Sequence, residues 1–254
     1  MGELASFSGV PWLIASLVGL VLLQRGLHRE IQAFFLILTH RPEVMYVIFA
    51  IIFLPGVFLH EFSHFFFAKL LGVRTGKFSV IPRVQPNGKL RLGYVETVSG
   101  GFLRDALIGF APLLSGSLII AYLGASRMNL LPLWDLVRLA EWGGFWVALR
   151  EVPLVPDFWL WLYLAFTISS TMMPSASDRQ AWLPVGVLIL LLVLTAVLAG
   201  AGPWMLANLA PPVNRFMQSL ALIFGLSSAI HVLFLFPFFL LHKAAAKLSR
   251  LDVG

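Results

Sequence analysis

A short segment of the chain carries three side chains that could bind and use a metal ion: His60-Glu61-Phe62-Ser63-His64. On a helix, His60 and His64 lie one turn apart on the same face, so their two imidazoles can bind one cation. Glu61 lies beside them, where a carboxylate can take a proton from a metal-bound water. The segment therefore predicts a metal centre for hydrolysis, with Glu61 as the catalytic base.

A third metal ligand must come from elsewhere in the chain, because a catalytic zinc usually has three protein ligands and one open position. The chain has no cysteine, so the ligand must be a histidine or a carboxylate. Asp178 is the best candidate, since polar residues accumulate around it at the end of an apolar run. The alternatives are His231, inside a later apolar run, and Glu96, in a polar connection. Asp178 could instead cap a helix or pair with Arg179.

The elements that must position these residues cross a membrane. Hydrophobic residues make up 59% of the 254 residues and charged residues 12%, whereas soluble chains have about 45–50% and about 25%. A membrane span needs about 20 apolar residues. Six runs approach or exceed that length, at about 8–24, 44–71, 103–124, 157–174, 183–206 and 216–241. The fold class predicted is an all-α polytopic membrane protein with about six transmembrane helices, the second of which carries the histidine motif.

A structural role for the three motif side chains is the competing interpretation. An ionisable side chain at the centre of a membrane span costs about 2.5–3.5 kcal/mol. Three such groups on one helical turn, between Phe58 and Phe65, demand a compensating partner, and a divalent cation provides one. The histidines at the ends of apolar runs are different, because basic residues lie beside them; surface roles are predicted for His28, His40 and His242.

Three connections have patterns of their own. Residues 31–38 are too short to span a membrane and predict an interfacial segment. The segment 133–150 predicts an amphipathic helix on the membrane surface, ended by Gly143-Gly144. Residues 78–96 predict a short membrane-associated β-hairpin with its turn at Pro86-Asn87-Gly88-Lys89.

These patterns divide the chain into three parts. Residues 1–43 are predicted to form an N-terminal transmembrane helix with the interfacial segment, and 44–180 a core that carries the hydrolytic metal centre. Residues 181–254 form two C-terminal transmembrane helices and a basic tail.

The formal charge of +6 predicts an orientation in the lipid bilayer rather than a nucleic-acid partner, because the basic residues lie between apolar runs. If the N-terminus is inside, eleven Lys and Arg residues face the cytoplasm and seven face the other side. This bias predicts a multi-pass protein of the cell membrane with both termini in the cytoplasm. The metal centre then lies toward the cytoplasmic side.

The motifs resemble those of the site-2 protease family of intramembrane zinc metalloproteases. The resemblance covers about residues 44–180: the HExxH helix, a short β-rich insertion, a span with Ala111-Pro112-Leu113, and a span ending in Pro-x-x-x-Asp. The family's second motif reads Asn-x-x-Pro-x-x-x-x-Asp-Gly. Here Thr171 replaces the asparagine, the distance from Pro174 to Asp178 is one residue shorter, and Arg179 replaces the glycine.

The resemblance implies a zinc metalloendopeptidase that hydrolyses peptide bonds of transmembrane protein substrates inside the bilayer. His60, His64 and Asp178 would be the Zn²⁺ ligands, and Glu61 would activate water. The β-hairpin would lie where the family has a membrane-associated β-region, which can offer an edge to an unwound substrate strand.

Two other functions fit parts of the pattern. A membrane protease of the prenyl-protein type also uses HExxH, and its third metal ligand is a glutamate. In this sequence, Glu96 is the one glutamate on the cytoplasmic side that is well placed for that role. A non-catalytic metal-binding membrane protein or a divalent-ion transporter would need no catalytic base. A transporter is expected to have two related halves with broken helices, and the sequence contains a single polar constellation. The sequence does not identify the substrate or the oligomeric state.

Overall fold

The computed structural model describes residues 8–84 and 90–249, and most of them are helical. The helices are α1 (Gly9–Thr39), α2 (Pro42–Leu70), α3 (Phe102–Tyr122), α4 (Leu131–Arg138), α5 (Trp142–Glu151), α6 (Phe158–Thr171), α7 (Trp182–Ala196), α8 (Gly202–Asn208) and α9 (Ala210–Ser249). One π-helical turn (Leu123–Arg127) extends α3, and another (Val197–Ala201) joins α7 to α8. The strands are β1 (Thr75–Ser79), β2 (Arg83–Val84), β3 (Leu90–Arg91) and β4 (Tyr94–Thr97).

The prediction of an all-α polytopic protein is confirmed, because every predicted apolar run is largely helical. Five helical segments are long and apolar enough to cross a membrane. A sixth candidate consists of α5 with its 3-10 extension and α6, which meet at an angle of 97°. α6 alone has 14 residues, or about 21 Å, and cannot cross a hydrocarbon core of about 30 Å. Thr167, Ser169 and Ser170 near its C-terminal end are buried, so this end lies inside the bundle.

Two of the predicted connections differ from the structure. Residues 31–38 are not a separate segment but continue α1, since no glycine or proline interrupts them and Ile31 and Ile37 are buried. The segment 133–150 contains two helices rather than one. The break falls at Ala140, which has a φ of 56°, while Gly143 and Gly144 lie inside α5.

The strands pair as predicted in a hairpin that follows the motif helix. β1 is antiparallel to β4, with Ser79 opposite Tyr94, and β2 is antiparallel to β3, with Arg83 opposite Arg91. The predicted turn at 86–89 lies outside the described residues. The paired region reaches from Thr75 to Thr97, slightly beyond the predicted bounds of 78–96.

Glycines allow the helices that form the site to approach closely. A Cβ atom on Gly56 would overlap the Thr167 carbonyl group, so α2 and α6 touch backbone to backbone at this point. Small residues serve this purpose in membrane bundles, where close packing replaces the hydrophobic driving force. The contact brings the C-terminal end of α6 against the next turn of α2, which begins at His60.

The first and last helices pack along much of their length and run in the same direction. The Gly9 amide donates to the Asn214 side-chain oxygen (2.6 Å), and Glu30 pairs with His242 further along both helices. Gly9 and Ser249 therefore lie at opposite ends of the bundle. If both helices cross the bilayer, this arrangement disagrees with the prediction that both termini lie on one side.

The segment from α7 through α8 begins and ends in one half of the bundle. Trp182 packs against Phe110 of α3, and Asn214, just after the segment, bonds to Gly9. Both contacts lie in the half that holds the hairpin, because α1 begins there and α2 ends there. Gly200, with a φ of 86°, bends the segment between its two ends.

Candidate metal centre

The two motif histidines lie on one face of α2, as their spacing predicts. Their Nε2 atoms are 3.2 Å apart, and the ring centroids are separated by 4.8 Å. His64 is buried and His60 is half-buried. A pair of ring nitrogens at this separation can bind a single ion.

Asp178 joins the histidine pair from the loop between α6 and α7. The Nε2 atom of His64 lies 3.5 Å from Asp178 Oδ1, and that of His60 lies 3.7 Å from Oδ2. Zinc bonds of about 2.0–2.1 Å in a tetrahedral site separate the ligand atoms by about 3.3 Å. The spacing is close to that value, and the donor set, two imidazoles and a carboxylate, suits a divalent transition metal such as zinc with one position left open.

Glycine at position 109 lets the Asp178 loop reach the site. A Cβ atom on Gly109 would overlap the Asp178 carbonyl oxygen, so a larger residue would push the loop away from α3. The loop is also held locally, because the Ser175 amide donates to Asp178 Oδ2 (2.7 Å). Arg179 bonds to the Ser175 carbonyl and not to Asp178. The loop conformation and the close backbone contact together aim the carboxylate at the histidines.

The ionised form of Asp178 suits a metal ligand. Burial raises the pKa of its carboxyl group, but the contacts with His60 and His64 outweigh burial. The pKa therefore lies well below its usual range, and Asp178 is a carboxylate at neutral pH.

Backbone carbonyls fix the orientation of both imidazole rings. The Nδ1 atom of His60 lies 2.7 Å from the Thr171 carbonyl oxygen, and that of His64 lies 2.8 Å from the Ile108 carbonyl oxygen. Carbonyls only accept hydrogen bonds, so each Nδ1 carries a proton, and the neutral form of each imidazole presents the lone pair of Nε2 to a metal. Metal-binding histidines are typically oriented by such a second hydrogen bond.

Polar side chains from α1 and α9 hold the end of α6 that supplies the Thr171 carbonyl. The Gln24 amide donates to the Ser170 carbonyl (2.6 Å), and His231 Nε2 lies 3.1 Å from the Ser170 hydroxyl. The last carbonyls of a helix lack intrahelical partners, and His60 and Gln24 satisfy two of them here. His231 also bonds to the Ser227 carbonyl through Nδ1, so both of its ring nitrogens are engaged away from the metal centre.

Glu61 lies on the side of the motif that the hairpin covers. Glu61 is 8% exposed. A Cβ atom on Gly93 would lie 2.7 Å from Glu61 Cγ and 3.0 Å from Oε1, so the backbone at Gly93 rests on the carboxylate. Gly93, in the two-residue connection between β3 and β4, therefore forms a wall of the site beside Glu61.

The other candidate ligands lie outside the cluster. Glu96 accepts a hydrogen bond from the Lys77 amide within the hairpin (3.2 Å). Among the described residues, the one group of three or more potential metal ligands consists of His60, His64 and Asp178. The structure thus brings together the three residues that the sequence favours, and it leaves Glu96 and His231 elsewhere.

Two of the three predicted surface histidines are not at the surface. His242 is buried and its Nδ1 lies 2.6 Å from Glu30 Oε2. The half-buried ring of His28 packs edge-on against Phe49 and Phe53. The prediction is wrong for these two because packing between helices, rather than neighbours in sequence, decides their burial. His40 is exposed as predicted.

Sequence reasoning missed the residues that orient the ligands. Gln24 was detectable in principle, as an uncharged polar residue at the end of the first apolar run. The carbonyls of Ile108 and Thr171 give no sequence signal, since every residue has one. The role of Gly109 can be recognised only from the structure, where the backbone of the Asp178 loop lies against it.

Comparisons of this chain with protein-family models, curated proteins and solved structures find no match. The resemblance to site-2 proteases therefore rests on the motif residues alone.

Proposed function

We propose that this protein is an intramembrane zinc metalloendopeptidase of the site-2 protease type, which cleaves transmembrane protein substrates. The observation that carries the proposal is the convergence of three donors on one point. Two imidazole nitrogens from α2 and a carboxylate from a loop more than 110 residues later lie within 4.8 Å of one another. Glu61 is not needed as a metal ligand, and it lies next to His60 in the sequence.

A zinc ion held by His60, His64 and Asp178 would supply a Lewis acid and lower the pKa of a water at the open position to about 7. Glu61 takes the proton of the attacking water and returns it to the leaving amine nitrogen. The low exposure of Glu61 and the cover at Gly93 limit competing bulk water. The chain's own residues thus supply the ligands, the proton carrier and a shielded site.

Substrate access follows from the position of the site within the bundle. A helical substrate must unwind locally, because the carbonyls of an intact helix are engaged in hydrogen bonds. The hairpin β1–β4 lies against the site and can offer a strand edge to the unwound segment. An extended substrate passing between the hairpin and α2 would present its carbonyls to the metal centre.

The proposed location is the cell membrane, with the metal centre on the cytoplasmic side. Seven of the eighteen Lys and Arg residues lie in the connection 69–104, at the end of the bundle where the hairpin meets the site. Basic residues concentrate in cytoplasmic loops. The N-terminal end of α1 lies at the same end of the bundle.

Cleavage by matched variants in proteoliposomes tests the proposed activity. Zinc-loaded wild type and Glu61→Gln are incubated with a library of synthetic transmembrane peptides, and products are identified by mass spectrometry. We expect cleavage by wild type and at least a 100-fold loss in Glu61→Gln with zinc content unchanged. His40→Ala, which changes an exposed histidine, is the control and should keep wild-type activity.

Two results would contradict the proposed activity. Equal cleavage by wild type and Glu61→Gln would mean that another group, or a contaminant, carries the chemistry. Bound zinc with no cleavage of any peptide would favour a non-catalytic protein. Transport of zinc into metal-free vesicles would then distinguish a divalent-ion transporter from a metal-binding protein.

A further inference from the structure

Two arginines face each other across the hairpin next to the metal centre. Arg83 of β2 and Arg91 of β3 are directly opposite in the antiparallel register. Like charges at opposite positions destabilise a strand pair. Hairpin stability therefore does not explain this pair.

The ring of Tyr94 holds the two guanidinium groups together. Their central carbons lie 4.9 Å (Arg91) and 5.6 Å (Arg83) from the ring centroid. Both side chains are exposed, and within residues 8–84 and 90–249 neither forms an ion pair with a carboxylate. The hairpin thus presents two neighbouring positive charges on one aromatic ring.

The arginine pair lies close to the reacting groups. Arg91 Nε donates to the Gly93 carbonyl (3.1 Å), and Gly93 is the residue whose backbone rests on Glu61. An anionic group bound to the guanidinium groups would therefore lie near the position of a scissile peptide bond.

We propose that Arg83 and Arg91 bind a carboxylate of the substrate, so that peptides with Asp or Glu close to the cleaved bond are preferred. This inference rests on the proposed function of the same site. The planar guanidinium fork matches a carboxylate through two parallel hydrogen bonds. Charge complementarity favours an acidic peptide, and the hairpin that carries the pair is also the wall that a substrate segment must pass.

An anionic lipid headgroup is the competing ligand for such a pair. The bond between Arg91 and the Gly93 carbonyl favours the peptide, because it turns the guanidinium toward the residue that covers Glu61. A headgroup at the bilayer surface would not need that orientation. The two ligands are separated experimentally by the composition of the vesicle.

Peptide binding and peptide cleavage are measured with the full chain in vesicles of neutral phosphatidylcholine. Transmembrane peptides are compared in matched pairs. The two peptides of a pair differ at one position near the expected cleavage bond, where one has Asp or Glu and the other has Asn or Gln. Affinity is measured by fluorescence on zinc-loaded Glu61→Gln, and kcat/KM on the protein with Glu61 intact. We expect the acidic peptides to bind about fivefold tighter. Arg83→Gln combined with Arg91→Gln should remove the preference while zinc content stays unchanged.

Matched controls keep the test independent of folding. Arg74→Gln combined with Lys77→Gln removes two exposed positive charges, one in β1 and one just before it, and should keep the preference. The single variant Arg83→Gln, which leaves the contact of Arg91 with Gly93 intact, should reduce it.

Each remaining outcome has a defined meaning. Equal binding and cleavage of acidic and amide peptides by wild type would overturn the inference and leave the protease proposal standing. A loss in the double variant that affects all peptides alike, together with a dependence on phosphatidylglycerol, would assign the pair to lipid and overturn it too. Preferential binding of acidic peptides without any cleavage would support the arginine site and contradict the protease.

Discussion

The Nε2 atoms of His60 and His64 are available to a metal because carbonyl groups occupy the Nδ1 atoms of both rings. The carboxylate of Asp178 reaches them only because residue 109 has no side chain. At the scale of single residues, the site therefore depends as much on a glycine and two carbonyls as on its ligands.

Gly109→Ala tests this dependence. The added methyl group would overlap the Asp178 carbonyl oxygen, so the loop must move and carry the carboxylate away from the histidines. We expect zinc affinity to fall by about 10- to 100-fold, the range for disturbed supporting residues of metal sites, in a competition titration with a chelator. Gly225→Ala, where nothing lies near the new methyl group, is the control. Unchanged zinc affinity in Gly109→Ala would show that the close contact does not position Asp178.

The histidine motif was predictable from sequence because its geometry is local. A separation of four residues on a helix fixes the relative positions of His60 and His64 without reference to the rest of the fold. Asp178 could be favoured from its polar surroundings, but its meeting with the histidines depends on how α2, α3 and α6 pack. The carbonyls of Ile108 and Thr171 could not be predicted at all.

At the scale of elements, the C-terminal end of α6 is the support of the site. His60 and Gln24 bind the carbonyls of Thr171 and Ser170, two groups that the helix itself leaves without partners. In the interior of a membrane bundle, an unsatisfied carbonyl costs several kcal/mol. The two contacts therefore fix the position of this helix end relative to α1 and α2.

Removal of the Gln24 amide is predicted to weaken metal binding from a distance. Gln24→Leu leaves the Ser170 carbonyl without its partner, so the end of α6 shifts and His60 loses its orientation. We expect zinc affinity to fall by about fivefold, less than for direct supporting residues, and the visible spectrum of the Co²⁺-substituted protein to change. Gln218→Leu is the control, since it removes a similar bond, to Ser8, far from the site. Identical Co²⁺ spectra in wild type and Gln24→Leu would refute the role of Gln24.

A second polar contact joins α1 to α9, where Glu30 and His242 form a buried pair at 2.6 Å. Removing one partner of a buried pair costs about 3–5 kcal/mol, whereas replacing both with apolar residues is often neutral. We expect His242→Leu to lower the free energy of unfolding by about 3 kcal/mol, measured by denaturant titration in detergent micelles. The double change Glu30→Leu and His242→Leu should recover most of the loss. Wild-type stability of the single variant would show that the pair contributes little.

At the scale of the whole molecule, the six apolar runs and their helical state were predictable, because hydrophobicity and length alone determine them. The relative directions of the helices were not predictable. The contacts Gly9–Asn214 and Glu30–His242 make α1 and α9 parallel. Such long-range pairing leaves no local signature in the sequence. The placement of both termini on one side, from the count of basic residues, stays a prediction.

The parallel pairing predicts that the two ends of the chain lie on opposite sides of the membrane. The chain has no cysteine, so single cysteines can be introduced without a background. We expect Ser99→Cys, after the hairpin, and Lys247→Cys, near the end of α9, to react with an impermeant maleimide from opposite sides of oriented vesicles. If both introduced cysteines react from the same side, the parallel arrangement is contradicted. That result would favour a segment from α7 to α8 that crosses the whole membrane.

Metal content measured on purified protein tests the central claim most directly, namely that His60, His64 and Asp178 together hold one zinc ion. Mass spectrometry is applied to wild type, His60→Ala, Asp178→Ala and, as a control for an exposed histidine away from the site, His40→Ala. We expect about one zinc per wild-type chain, a loss in both ligand variants, and retention in His40→Ala. Zinc retained at wild-type affinity in Asp178→Ala, or no metal in wild type even after zinc is supplied, would contradict the claim.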